Sequence, residues 1–394
     1  MRATLCRICL LALGPALGLG IARFAYGLLL PAMKADLGWS YSQAGWINTI
    51  NAIGYITGAS TAASAARRLG IARTYGLGAV VTVVCVLALG LTDNFVTLSL
   101  FRLLSGISGA WIFVTGGAMT ITLAAGQPRH RSVAIGIFYA GAGFGLTVTG
   151  LLVPEWIALF GEATWRSAWL LLATIGAIFA VAGYLSARAA DTGDGTSGMK
   201  ARYHAPSGHK WILLGYAAFG AGSTGYMTFM VAYLKSGGQP AWHLSIFWTA
   251  IGLASMAAPW IWPRLLSGAR NAAAFSTLVG INGLGAAIPL FISSFPAAIG
   301  SALVFGSTFF AVVAATSEYV RRHVEDSRHT AAIGMFTLAF GAGQTLGPLC
   351  LGLVTDRTGS LSGGLAIGAA LIVAGATLAL LQRNFAGGLM DAGR

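Results

Sequence analysis

Two arginines, Arg23 and Arg102, are the residues of this 394-residue chain whose placement most demands an explanation. Arg23 is the only charge between Arg7 and Lys34, inside a run of apolar and small residues. Arg102 stands alone between Asp93 and Arg129. A guanidinium at the centre of a membrane helix costs roughly 2.5–3.5 kcal/mol, so a chain that keeps one points it into a water-filled cavity or gives it partners. All eleven Asp and Glu lie in loops or at helix ends, so no acid of equal depth accompanies the two arginines. Guanidinium forks grip carboxylates through paired hydrogen bonds. The chemistry expected is recognition of a small organic anion, and not of a large cationic drug.

Helical spacing ranks the other polar groups. Asn48, Asn51 and Tyr55 fall at i, i+3 and i+7, on one helix face. Tyr26 lies three residues from Arg23, on its face. Tyr216, Ser223, Tyr226, Met230 and Tyr233 form one stripe, and Thr337, Phe340 and Gln344 another. Each alone is more often an interhelical hydrogen bond than a ligand contact. Together they give a candidate substrate-binding set of Arg23, Tyr26, Asn48, Asn51, Arg102, Tyr226 and Gln344. The competing reading is that the arginines bond backbone carbonyls and brace a bent helix, which Gly14, Pro15, Gly18 and Gly20 make plausible near Arg23.

Other chemistries have little support. An integral-membrane enzyme would need clustered His, Asp or Glu. The nearest group, His323-Val324-Glu325-Asp326-Ser327-Arg328-His329, lacks helical ligand spacing and reads as a solvated loop. Cys6 and Cys9 have Cys-x-x-Cys spacing but no second pair to complete a metal site. No catalytic residue, metal or cofactor is expected. Proton-driven carriers usually hold a titrating carboxylate within the membrane. Here only Glu318 comes near, so a proton would travel on the substrate's own carboxyl, or the carrier is a uniporter or exchanger. His243 reads as interfacial.

The elements that must position these groups are membrane helices. Residues are 56% apolar and 9% charged, and mean hydropathy is +0.75. Soluble domains carry about 25% charged residues. The charges divide the chain into intervals that can each hold the ~20 residues needed to cross a bilayer core, giving twelve helices. The net charge of +13 is unevenly spread: with the N-terminus inside, inward loops hold 18 of the 24 Lys and Arg and outward loops hold four. That bias is the positive-inside rule, so both termini are expected in the cytoplasm and no nucleic-acid partner is implied. Arg2 and Arg7 precede an apolar run that continues to Met33, too long for a signal peptide, and it reads as helix 1.

A polar stretch at 187–209 reads as a cytoplasmic linker between six-helix bundles at 1–186 and 210–394. The halves resemble each other: Ala134-Ile135-Gly136-Ile137-Phe138 matches Ala332-Ile333-Gly334-Met335-Phe336 at an offset of 198, and Gly143 and Gly145 meet Gly341 and Gly343 at the same offset. Such a duplication places a substrate site near the midplane, between the halves. Arg23 lies eight residues before Pro31 and Arg102 eight after Asn94, so both sit roughly 12 Å from the outer surface.

Arg102-Leu103-Leu104-Ser105-Gly106-Ile107-Ser108-Gly109-Ala110 resembles the Arg-x-x-x-Gly-x-x-Gly motif of the major facilitator superfamily. Thr164-Trp165-Arg166-Ser167-Ala168-Trp169 is similar to that family's approach to helix 6. Gly20-Ile21-Ala22-Arg23-Phe24-Ala25-Tyr26-Gly27 through Met33, with Trp39-Ser40-Tyr41-Ser42-Gln43-Ala44-Gly45-Trp46, resembles its YbfB/YjiJ-like bacterial branch. The resemblance implies an all-α integral membrane fold of twelve helices in two pseudo-symmetric bundles. It also implies alternating access, a monomer, and a cavity lined by helices 1 and 4. The family's Gly-x-x-x-Asp-Arg-x-Gly signature after helix 2 is reduced here to Arg68-x-Gly70. A full match, Gly352 to Asp356-Arg357-Thr358-Gly359, follows helix 11 on the outer side and reads as a short polar turn. Helix 5 lacks a Gly-Pro pair, although its repeat partner has Gly347-Pro348. The function expected is secondary transport of a carboxylate-type anion across the bacterial inner membrane, with export of drugs or metabolites as the alternative and a membrane enzyme as a remote one.

Overall fold

The computed structural model describes residues 2–124, 128–190, 209–268, 272–325 and 328–382, and every element among them is helical. The first helix, α1, runs in three segments: Arg2–Pro15, a π-helical stretch Ala16–Phe24, and Ala25–Leu37. It is followed by α2 (Tyr41–Leu69), α3 (Ile71–Leu89), α4 (Phe95–Leu123), α5 (Pro128–Phe160) and α6 (Trp165–Ala190). The second half comprises α7 (Lys210–Ser236), α8 (Ala241–Ile261), α9 (Ala273–Phe291), α10 (Phe295–His323), α11 (His329–Thr358) and α12 (Leu361–Leu380), with a short helix Pro263–Gly268 after α8. Of the linker expected at 187–209, the first four residues belong to α6 and 191–208 lie outside the described residues.

Helix ends follow local chemistry. Ser40 and Gln43 form a reciprocal capping box at the start of α2, and Asn94, Ser294 and Ser360 cap α4, α10 and α12. Gly38 and Gly359 end α1 and α11 at φ 65° and 67°, where a side chain would be strained.

Ten of the twelve helices are long and apolar enough to cross a membrane; α2 and α7 fall short in hydropathy. Their position explains this. In α7, 17 of 27 residues are buried by neighbouring helices, so its Gly, Ser, Thr and Tyr do not meet lipid. In α2, Asn48, Thr49 and Asn51 bond to α7, α11 and α4 respectively. Polar groups that find partners in adjacent helices need no lipid-compatible surface.

The repeat governs packing. Gly145 on α5 lies against the Ala16 carbonyl of α1, and its counterpart Gly343 on α11 lies against the Ala217 carbonyl of α7. Gly143 faces α8, and its counterpart Gly341 faces α2. Between the halves, α5 packs along α8 and α2 along α11, two contacts that the repeat relates to each other. The twelve helices run alternately, so the start of α1 and the end of α12 lie on one side of the bundle, called the termini side.

Contacts on the far side hold the halves together there. The Asp356 carboxylate accepts hydrogen bonds from the backbone N–H groups of Tyr41 at 2.7 Å and Ser42 at 2.8 Å. These are first-turn donors of α2, which have no partner within their own helix. The sequence expectation of a short polar turn is corrected: Asp356 and Arg357 belong to the last turn of α11, and Asp356 bridges to the other half as a helix cap. Lys235 pairs with Glu162 at 2.7 Å, and the rings of Tyr41 and Phe229 meet edge to face at 6.2 Å.

Candidate functional site

The π-helical segment of α1 is the element that places Arg23. Gly18 lies against Gly109 of α4 and Gly20 against Gly145 of α5, so α1 is wedged between two backbones, at Gly20 too closely for a Cβ. At its C-terminal end the Ala25 N–H reaches back five residues to the Gly20 carbonyl. Where five-residue bonding gives way to four-residue bonding, helical carbonyls lose their usual donors.

Arg102 supplies donors at that junction. Its Nη1 bonds the Ala22 carbonyl, Nη2 bonds the Arg23 carbonyl at 3.4 Å and Asn48 Oδ1 at 3.1 Å, and Nε bonds the Ile47 carbonyl at 3.3 Å. The guanidinium carbon lies 4.9 Å from the centre of the Tyr26 ring, and the side chain is fully buried. Arg102 is therefore engaged on every side by α1 and α2. The sequence left Arg102 open as a second anion contact, a gating residue or a brace; its hydrogen bonds here are those of a brace between α4, α1 and α2. The expectation that Arg23 and Arg102 share one depth agrees with this contact.

Arg23 is differently placed. Its Nη2 donates to Gln344 Oε1 on α11 at 2.8 Å, across the seam between the halves. Among the described residues this is its one hydrogen-bond acceptor, and Nε is buried without a partner. A guanidinium carries five N–H donors. No carboxylate pairs with Arg23 among the described residues. Its guanidinium carbon lies 5.1 Å from the centre of the Tyr55 ring.

The remaining candidates divide into partners of this centre and others. Asn48 links three elements: besides receiving Arg102, its Nδ2 donates to Thr228 Oγ1 on α7 at 2.6 Å. Tyr26 donates its hydroxyl to the Ala44 carbonyl at 2.8 Å, so it positions Arg102 and α2. Asn51 donates to the Arg102 carbonyl and Ser105 Oγ, at 2.9 and 3.1 Å, and ties α2 to α4. Tyr226 is not brought into the network. It bonds Ser301 at 2.7 Å and stacks on Phe305 at 4.0 Å, both within the second half.

Three residues were missed in the sequence. Thr228 sits two positions from Tyr226, off the stripe that was followed. Trp248 is fully buried with its indole N–H unpartnered. Tyr139 is the offset-198 counterpart of Thr337, so the repeat carried a signal for it. No group of three His, Cys, Asp or Glu that could hold a metal converges among the described residues.

The model of the family described as uncharacterised MFS-type transporter YbfB matches residues 15–380. The chain belongs to this family. It is thus a YbfB-type member of the major facilitator superfamily, a multi-pass membrane protein and a secondary transporter. Solved structures agree on the fold. One is a mutant of the nucleoside transporter NupG, 13% identical over 95% of this chain and 98% of that one, with a TM-score of 0.69. Another is a bacterial homologue of the human lysosomal transporter Spinster, inward-facing and occupied, 17% identical over 95% and 94% of the two chains, with a TM-score of 0.65. A search of curated proteins returned no match. At these identities the structural likeness concerns architecture, and the YbfB family description names no substrate.

Proposed function

We propose that this YbfB-type carrier moves a small organic anion of the carboxylate class across the bacterial inner membrane as a monomer, with Arg23 as the anion contact. The observation that carries the reading is the state of the Arg23 guanidinium: buried, at the seam between halves, without a counter-ion among the described residues, and with one hydrogen-bond acceptor. A buried cation in this state favours an anionic ligand that can fill its free donors. Gln344 holds the fork from the opposite half, and Arg102, Asn48 and Tyr26 fix the backbone that carries it. The uneven distribution of Lys and Arg supports a cytoplasmic termini side. The far-side contacts then close the periplasmic face, and the carrier alternates by exchanging these contacts for others at the cytoplasmic end.

The test is thermal stabilisation of purified protein by mono- and dicarboxylates, amino acids and cationic dyes, with Arg23→Gln in parallel. A carboxylate should raise the melting temperature of the wild type and not of the variant. Stabilisation by dyes, or carboxylate binding indifferent to the substitution, overturns the assignment and leaves Arg23 a structural contact.

A further inference from the structure

The walls beside Arg23 are aromatic, and their arrangement bears on what the acid group is attached to. Tyr55, 5.1 Å from the guanidinium, continues through Phe113 (6.4 Å between ring centres) to Tyr139 (5.5 Å), all in the first half. The second half opposes them with three nearly parallel rings: Phe340 stacks on Tyr216 at 4.7 Å and 14°, and on Phe219 at 5.7 Å and 19°. Phe340 lies one turn before Gln344, which receives the Arg23 bond, and the adjacent Gly341 packs on Ile56 beside Tyr55, so the two sets of rings flank the same seam.

Tyr216 and Phe219 are buried behind Phe340, whereas Tyr55, Tyr139 and Phe340 keep accessible surface. On α5, Gly141 and Gly145 pack on α1, while Gly143 and Gly150 pack on α8. Two arcs remain on that helix at 100° per residue. One carries Val133, Phe144 and Leu151, exposed large apolar side chains that suit lipid. Tyr139 falls on the other arc with buried Ala142 and Leu146, yet is itself 37% exposed. Exposure on an inward arc requires unfilled space beside the ring. Tyr55 and Phe340 are half-buried on inward arcs of α2 and α11. The Tyr55 and Tyr139 hydroxyls have no hydrogen-bond partner among the described residues, and so remain free to serve a polar substituent.

We infer that the cargo is a planar aromatic carboxylate, with its acid group on Arg23 and its ring between the Tyr55–Phe113–Tyr139 wall and the Phe219–Phe340–Tyr216 stack. The inference rests on the assignment of Arg23 as the anion contact. Aromatic rings gain from offset stacking and edge-to-face contacts beyond their buried area, and a saturated ring of like size does not.

The experiment compares benzoate and 4-hydroxybenzoate with cyclohexanecarboxylate and hexanoate, by thermal shift and by titration calorimetry on the full chain. The aromatic acids should bind about tenfold more tightly than the saturated ones, the factor expected of stacking on both faces. Phe340→Leu should weaken binding of the aromatic acids several-fold more than that of the saturated ones, and an equal loss for both classes overturns the stacking role. Tyr139→Phe, which keeps the ring, should lower affinity for 4-hydroxybenzoate and not for benzoate. Equal or tighter binding of cyclohexanecarboxylate by the wild type overturns the aromatic class while leaving Arg23 as an anion site. Binding of all four acids unchanged by Arg23→Gln overturns the anion site itself. Strong binding of an uncharged aromatic, such as a nucleoside, with none of the acids binding, overturns both.

Discussion

Arg23 and Arg102 are alike in sequence context and unlike in what surrounds them. The Arg102 guanidinium makes four hydrogen bonds, to three backbone carbonyls and Asn48, whereas among the described residues that of Arg23 makes one, to Gln344. Removing the first should therefore act on folding and removing the second on binding. Arg102→Met strands the Ala22, Arg23 and Ile47 carbonyls, and should destabilise the protein by about 1–3 kcal/mol for each buried acceptor left unsatisfied. Detergent-solubilised protein should melt markedly lower whether or not a carboxylate is present. Arg23→Gln should keep the melting temperature of the unliganded protein within a few degrees. Depth and charge made both arginines legible in the sequence. Their roles were not, because the role depends on carbonyls freed by a π-helical turn, and such a turn leaves no periodic mark in the residues that form it.

At the scale of elements, the decisive feature is the junction of α11 with α2. Asp356 bonds the Tyr41 and Ser42 N–H groups from the opposite half, where the partial positive charge of a helix start favours a carboxylate. Asp356→Ala should loosen the far-side closure and increase the population open at that end. Spin labels at Leu91 and Ser362, far-side positions in opposite halves, should report a longer mean separation in the variant by pulsed electron resonance. An unchanged distance distribution would show that Lys235–Glu162 and the apolar contacts suffice to keep the face shut. The all-helical membrane fold was readable from the spacing of charges along the chain. The Asp356 bridge was not, since the string Gly352 to Gly359 was judged by its place after α11, and nothing local in it names Tyr41 as a partner.

For the molecule as a whole, the repeat makes the two inter-half seams equivalent, α2 along α11 and α5 along α8. The two helices that fall short in hydropathy, α2 and α7, place their polar groups against neighbouring helices, by burial in α7 and by hydrogen bonds in α2, so hydropathy alone finds ten of the twelve described spans. Charge pattern and length therefore disclosed the architecture better than apolarity did.

The Arg23–Gln344 bond joins the halves, so any rocking that parts them must break it. On the proposed reading of Arg23, an occupied carrier meets this step with an anion already on the arginine and a vacant one with a bare cation. The vacant return should consequently be the slow leg of the cycle. Proteoliposomes preloaded with cargo should then take up labelled cargo several-fold faster than empty ones, and Gln344→Leu should narrow the difference. On this account the glutamine acts as a stand-in for the passenger, and trade of one anion for another is the carrier's natural gait.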